Sequence, residues 1–177
     1  MRIGICTNVG ADTETEYGEY FSWGDTIGQN KNGYGSYSFS EDNYNAGLCG
    51  SGHNLTGDIP QGNATYDAAT ANMGSPWKIP TKEQCQELID GTNSTWTTIN
   101  GVNGRKFTSK KNSTKYIFLP ASGRWEDISY PNAGSTAFYL CVTHSGSNAA
   151  SSIYLGSTFT MIEMTSRFVG NSVRAIQ

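Results

Sequence analysis

The chain has 177 residues, 36% of them hydrophobic and 12% aromatic, which is enough for the core of a single domain. Charged residues make up only 15% and the formal net charge is -3, so there is no basic footprint for nucleic acid or for an anionic membrane surface. No stretch approaches the roughly 18 apolar residues of a membrane span, and residues 1–11 lack the basic and apolar regions of a signal peptide, so localisation stays open.

Residues 1–60 carry no helical period. Tyr17-Gly18-Glu19-Tyr20-Phe21-Ser22-Trp23-Gly24-Asp25 sits in a Gly, Asn and Ser background, which predicts a loop-rich region with short strands. Tyr34, Tyr37, Phe39 and Tyr44 would pin it, because aromatic rings bury much area for little rotamer entropy. Residues 64–91 hold two predicted helices. In the first, over 64–73, Tyr66, Ala69 and Met73 recur at helical spacing and Gly74 is the stop. The second follows Thr81, with Gln84 completing a capping box and Cys85, Leu88 and Ile89 forming an apolar stripe up to Gly91. Trp77 and Pro80 fix the extended junction between the two.

From residue 96 to 177 the texture changes to short β-branched or alternating runs: 96–99, 105–108, 116–119, 137–142, 153–155, 158–162 and 172–176. An antiparallel meander is expected, with turns at Asn100-Gly101 and Asn103-Gly104 and a solvated tip at Lys110-Lys111-Asn112-Ser113. Trp77, Leu88, Leu119, Val173 and Ile176 are the expected buried anchors.

Catalytic motifs are absent: there is no Gly-x-Ser-x-Gly elbow, no His-Glu-x-x-His and no phosphate-cradling loop. Asp25, Glu41, Asp42, Asp58 and Asp67 read as solvated acids, and His144 has no acidic neighbour in sequence to orient it. Cys6, Cys49, Cys85 and Cys141 form no Cys-x-x-Cys pair and only His53 and His144 could join them, so neither metal nor cofactor is expected. Cys85 reads as a core thiol. Asn54, Asn63, Asn93 and Asn112 begin glycosylation sequons, which a chain this rich in Asn, Ser and Thr generates by chance.

The anomaly is C-terminal. Between Ala137 and Val169 apolar residues occupy both strand parities, as in Phe138-Tyr139-Leu140 and Met161-Ile162, whereas a half-buried strand needs only one. The outward set should then form a patch of the type that marks a binding site. Phe138, Leu140, Tyr154, Phe159, Ile162, Thr165, Ser166, Phe168 and Val169 are the expected ligand-contacting residues.

Four blocks carry a family resemblance: Tyr66-Asp67-Ala68-Ala69; Trp77-Lys78-Ile79-Pro80-Thr81 with Glu83 and Leu88; Phe118-Leu119-Pro120-Ala121-Ser122-Gly123; and Arg167, Gly170 and Ser172-Val173-Arg174. Together they resemble the major-paralogous domain of Bacteroidetes, over about residues 17–177. The resemblance implies an α+β, C-type-lectin-like fold, with two helices, antiparallel strands and long loops. It departs at Tyr139-Leu140-Cys141-Val142, where relatives read Tyr-Trp-Ser-Ser, and the calcium-binding lectin motifs are missing.

The same family includes variable proteins of diversity-generating retroelements, whose diversified face binds a ligand. The resemblance therefore implies a non-enzymatic ligand- or receptor-binding protein, its partner a protein or glycan on another cell or particle. Adenine-directed rewriting of AAC or AAT codons cannot produce Met or Glu, so Met161, Glu163 and Met164 are expected to be fixed scaffold positions or to descend from other codons. Two other readings stand beside this one. The first is an undiversified adhesin or glycan-binding domain. The second is an enzyme resembling the formylglycine-generating relatives, in which Cys141 would need a second cysteine opposite it in space.

Overall fold

The computed structural model describes residues 7–29, 39–126 and 131–177. Among these, the elements run β1 (Tyr20–Phe21), α1 (Glu41–Asn45), a single 3-10 turn (Gly52–Asn54), α2 (Ala68–Met73), α3 (Lys82–Gly91), β2 (Thr92–Ile99), β3 (Val102–Ser109), β4 (Tyr116–Pro120), β5 (Thr136–His144), β6 (Ala149–Gly156), β7 (Thr160–Ser166) and β8 (Asn171–Ser172). They build an α+β architecture with two sheets. The larger has the order β1-β8-β5-β6-β7, and β2-β3-β4 form the smaller.

Local chemistry accounts for the helices. Thr81 and Gln84 form the predicted capping box of α3, with Gln84 N donating to Thr81 Oγ1 (3.2 Å) and Thr81 N donating to Gln84 Oε1 (2.9 Å). The first predicted helix starts four residues late. The Asp67 carboxylate takes the N–H groups of Ala69 and Thr70 at 3.0 and 3.2 Å, which makes it the N-cap and leaves 64–66 as a turn. Helix α1 was not legible from apolar period. It is one turn long, capped by Ser40, and held by the buried ring of Tyr44.

The strands also depart from the prediction in instructive ways. Asn100 and Gly101 do make the β2–β3 turn, with φ of 49 and 80°. Asn103-Gly104 does not turn at all: Gly104 lies within β3 because a Cβ there would strike Leu119 O and the Phe118 ring of the neighbouring strand. The meander is not purely antiparallel, since β8 runs parallel to β5 at Tyr139 and Ser172 and pairs with β1 on its other side.

Strand β5 is thus central and covered on both faces. Leu140 and Val142 enter a core with Val9, Phe21, Trp23, Ile59, Ala68, Ala69 and Ile79. Ala137, Tyr139 and Cys141 enter a second core, built with Cys85 of α3 and Phe107, Ile117 and Leu119 of the small sheet. That is why both parities of β5 are apolar. Of the expected anchors, Leu119, Val173 and Ile176 are buried, while Trp77 and Leu88 are half-buried and pack at the edges of the two cores. Phe39 and Tyr44 are buried as expected, and Tyr34 and Tyr37 lie outside the described residues, as does Cys6.

The four motif blocks meet in this framework. Ile79 N donates to Asp67, Lys78 and Ile176 exchange backbone bonds of 3.0 and 2.9 Å, and Ser122 and Ser172 share a hydroxyl hydrogen bond of 2.7 Å. The buried Arg174 donates to Asn8 Oδ1 and Phe118 O at 3.0 and 2.8 Å. Each of these is a buried polar group with a partner, so the junction is specified by geometry as well as by apolar contact.

Candidate ligand-binding face

Register decides which residues share a surface. Phe138 pairs with Tyr154 and Tyr154 with Met161; Leu140 pairs with Ser152 and Ser152 with Glu163. On this face Phe138 and Tyr154 are stacked, with centroids 4.3 Å apart and planes 8° from parallel, and Phe159 closes on Tyr154 at 4.6 Å. The Phe159 ring lies over Gly156, where a Cβ would collide with it. Arg124 sits 5.2 Å from the Phe138 centroid and is bound at 2.7 Å to Glu126. Met161, at 43% exposure, continues the row outward.

The nine expected contact residues divide. Phe138, Tyr154 and Phe159 come together, with Phe138 at the base and the other two half-exposed. Leu140 and Val169 are core, at 1 and 2% exposure, and Thr165 is buried. Ile162 lies on the opposite face, packed toward α3. Ser166 is exposed at the far end of β7, and Phe168 is half-buried there beside Arg167. The misassignments share one cause. Apolar residues at both parities meant an outward patch only if one face of β5 was open, and both are closed.

Met161, Glu163 and Met164, expected to be fixed positions, are exposed, Met164 at 61%, because β7 is an edge strand. The exposure of Met161 and Glu163 follows the alternation about Ile162, whereas Met164 shares the parity of Ile162 and breaks it.

Of the five acids read as solvated, Glu41, Asp42 and Asp58 are exposed and two are not. Asp25 and Asp67 are buried. Burial pushes Asp25 up to about 6 against the lowering effect of hydrogen bonds from Gly52 N and the Cys49 thiol. Burial likewise raises Asp67, although four backbone N–H groups donate to it. Asp58 supplies the partner that His144 lacked in sequence, at 2.7 Å from Nδ1, and the pair is half-exposed. The Ser145 hydroxyl beside it donates to Met164 Sδ, so no Ser-His-Asp relay is assembled. Cys141 does face a second cysteine: its Sγ lies 3.0 Å from Cys85 Sγ. Both thiols are buried, and the contact with Cys141, followed by burial, holds Cys85 well above its ordinary value, the opposite of an activated nucleophile.

Among the described residues no three His, Cys, Asp or Glu side chains cluster to hold a metal ion, and no helix is long and apolar enough to cross a membrane. Comparison of the chain with models of known families, with curated proteins and with solved structures finds no match.

Proposed function

We propose that this chain is a ligand-binding protein of C-type-lectin-like fold, similar to the variable proteins of diversity-generating retroelements, and that the β5–β6–β7 face is its recognition surface. The observation that carries the reading is the Phe138–Tyr154–Phe159 stack, continued by exposed Met161 on an edge hairpin. Aromatic rings held in a row offer large contact area with little entropy left to lose, as in antibody paratopes. The hydrogen-bonded meeting of the four motif blocks supports the fold assignment, because residues that resemble a family signature here hold one another in place. The ligand would be a protein or glycan on another cell or particle.

Resequencing the gene across a population tests the proposal. Variation concentrated at outward positions of the face, with Tyr154 and Phe159 foremost, and a near-copy of the 3′ end beside a reverse-transcriptase gene are the expected result. Variation spread evenly along the chain would refute diversification. Binding lost in Tyr154→Ala despite an invariant locus would mark an undiversified adhesin using the same face.

A further inference from the structure

At the far end of β6 and β7 from the aromatic row the chain forms a second, polar concavity. It encloses about 410 Å³ counted to its open mouth, and its wall includes Glu41, Tyr44, His53, Asn148, Arg167 and Phe168. Tyr154 and Ala149 are five residues apart along β6, so the two surfaces are roughly 17 Å apart at the rise of an extended strand.

Arg167 is the unusual member. It is 5% exposed, its guanidinium lies 4.1 Å over the Trp23 ring, and Nη1 donates to Leu55 O at 2.9 Å. Nε and Nη2, which form the side-on edge of the group, are buried with no hydrogen-bond partner among the described residues. His53 Nδ1, in the same wall, is also buried and unpartnered. A buried cation with two unused donors is costly, and a packed protein retains one where something completes it. Stacking and the Leu55 bond fix the plane of the fork, so a planar oxyanion arriving edge-on satisfies both donors at once. Glu41 in the same wall calls for a donor on the other side of that ligand, and it disfavours an anion carrying more than one negative charge.

We propose that this pocket binds a small 2-amino or 2-hydroxy carboxylic acid, its carboxylate on the Nε–Nη2 edge of Arg167 and its neighbouring ammonium or hydroxyl directed to Glu41. The site is separate from the aromatic face, and either could exist without the other. Amide chemical shifts followed during titration with L-serine, L-lactate, acetate and inorganic phosphate test it. Serine or lactate should move His53, Asn148, Arg167 and Phe168 saturably, with acetate roughly tenfold weaker for want of the second donor. Arg167→Lys keeps the charge but removes the fork and should weaken binding at least about tenfold. Because Arg167 also packs on Trp23, Ser147→Trp at the exposed rim provides a second variant that leaves the core alone and should block entry. The proposal is overturned if no probe shifts these amides, if phosphate or acetate binds as well as lactate and serine, or if both variants bind as the parent does.

Discussion

Asp25 makes the stability of this protein depend on pH in a direction opposite to that of most paired carboxylates. Its side chain is 1% exposed, and burial raises it from 3.8 to about 6. Between those values the folded protein holds a proton that the unfolded chain has already lost. The contribution of Asp25 is therefore fully present below about pH 4, declines as pH rises, and is gone above about pH 6. A displacement of about two pH units, at about 1.4 kcal/mol per unit, amounts to about 2–3 kcal/mol. Asp25→Asn cannot ionise and keeps an oxygen for Gly52 N, so its stability lacks this slope. Any constant difference between the two proteins reflects the packing of the amide. The test is how the difference changes with pH. Stability measured by urea denaturation at pH 4, 5, 6 and 7 should move in favour of the variant by about 2–3 kcal/mol across the series. In melting temperature, at about 2–4 °C per kcal/mol for a chain of this length, that is a relative gain of about 4–12 °C. Taking the difference cancels Asp67, which acts in the same sense, and Asp58, whose lowered value acts in the opposite one. Parallel curves for the two proteins would show that Asp25 is ionised in the fold at its ordinary pH and that the burial argument is wrong.

Leu140→Ala should cost about 2–5 kcal/mol, because Leu140 is enclosed in the core around Trp23. Met161→Ala, on the open edge, should stay within about 0.5 kcal/mol; similar losses in denaturant titrations would mean that the burial of the two positions has been assigned wrongly. In the native protein, peptide-resolved maleimide labelling should leave Cys49, Cys85 and Cys141 unmodified until denaturant is added, since all three are buried. Fast native labelling of Cys85 or Cys141 would restore a reactive thiol pair to consideration.

Elements with self-contained signals were legible in the sequence. The α3 capping box, the Asn100-Gly101 turn and the strands on either side of it follow from residues within a few positions of one another. Long-range facts were hidden. Nothing local says that the C-terminal segment inserts between β1 and β5, and that insertion, with the packing of Trp23 behind it, closes the second face of β5. From this one omission follows the misplacement of Leu140 as a contact residue. Asp67 and His144 show the same limit for polar groups. Their partners Ile79 and Asp58 are 12 and 86 positions away, beyond any motif spacing. The Arg167 pocket had no sequence signal beyond the motif block in which the arginine stands.

The placement of the hairpin bears on whether its surface can change without loss of the fold. Its β6–β7 turn is gripped from the small sheet, where buried Arg105 donates to Gly156 O and Ser157 O at 3.2 and 3.1 Å. Its other end is tied by Arg167 N to Asn148 O at 3.0 Å, and Ile153, Leu155 and Ile162 hold its inner side against α3 and the small sheet. None of these restraints uses the outward side chains of Tyr154, Met161 or Glu163. Backbone pairing and inner packing therefore set the position of the edge, and substitutions on its outer side alter contacts with a partner before they alter the strand. The same position leaves β7 with an unpaired backbone edge, a liability that charged edge residues counter. Glu163 is the only charge on β7, so replacing it with an apolar residue trades solubility for contact area. Variation there is constrained by self-association, whereas at Tyr154, one strand inward, it is constrained by the rings of Phe138 and Phe159 that pack on it.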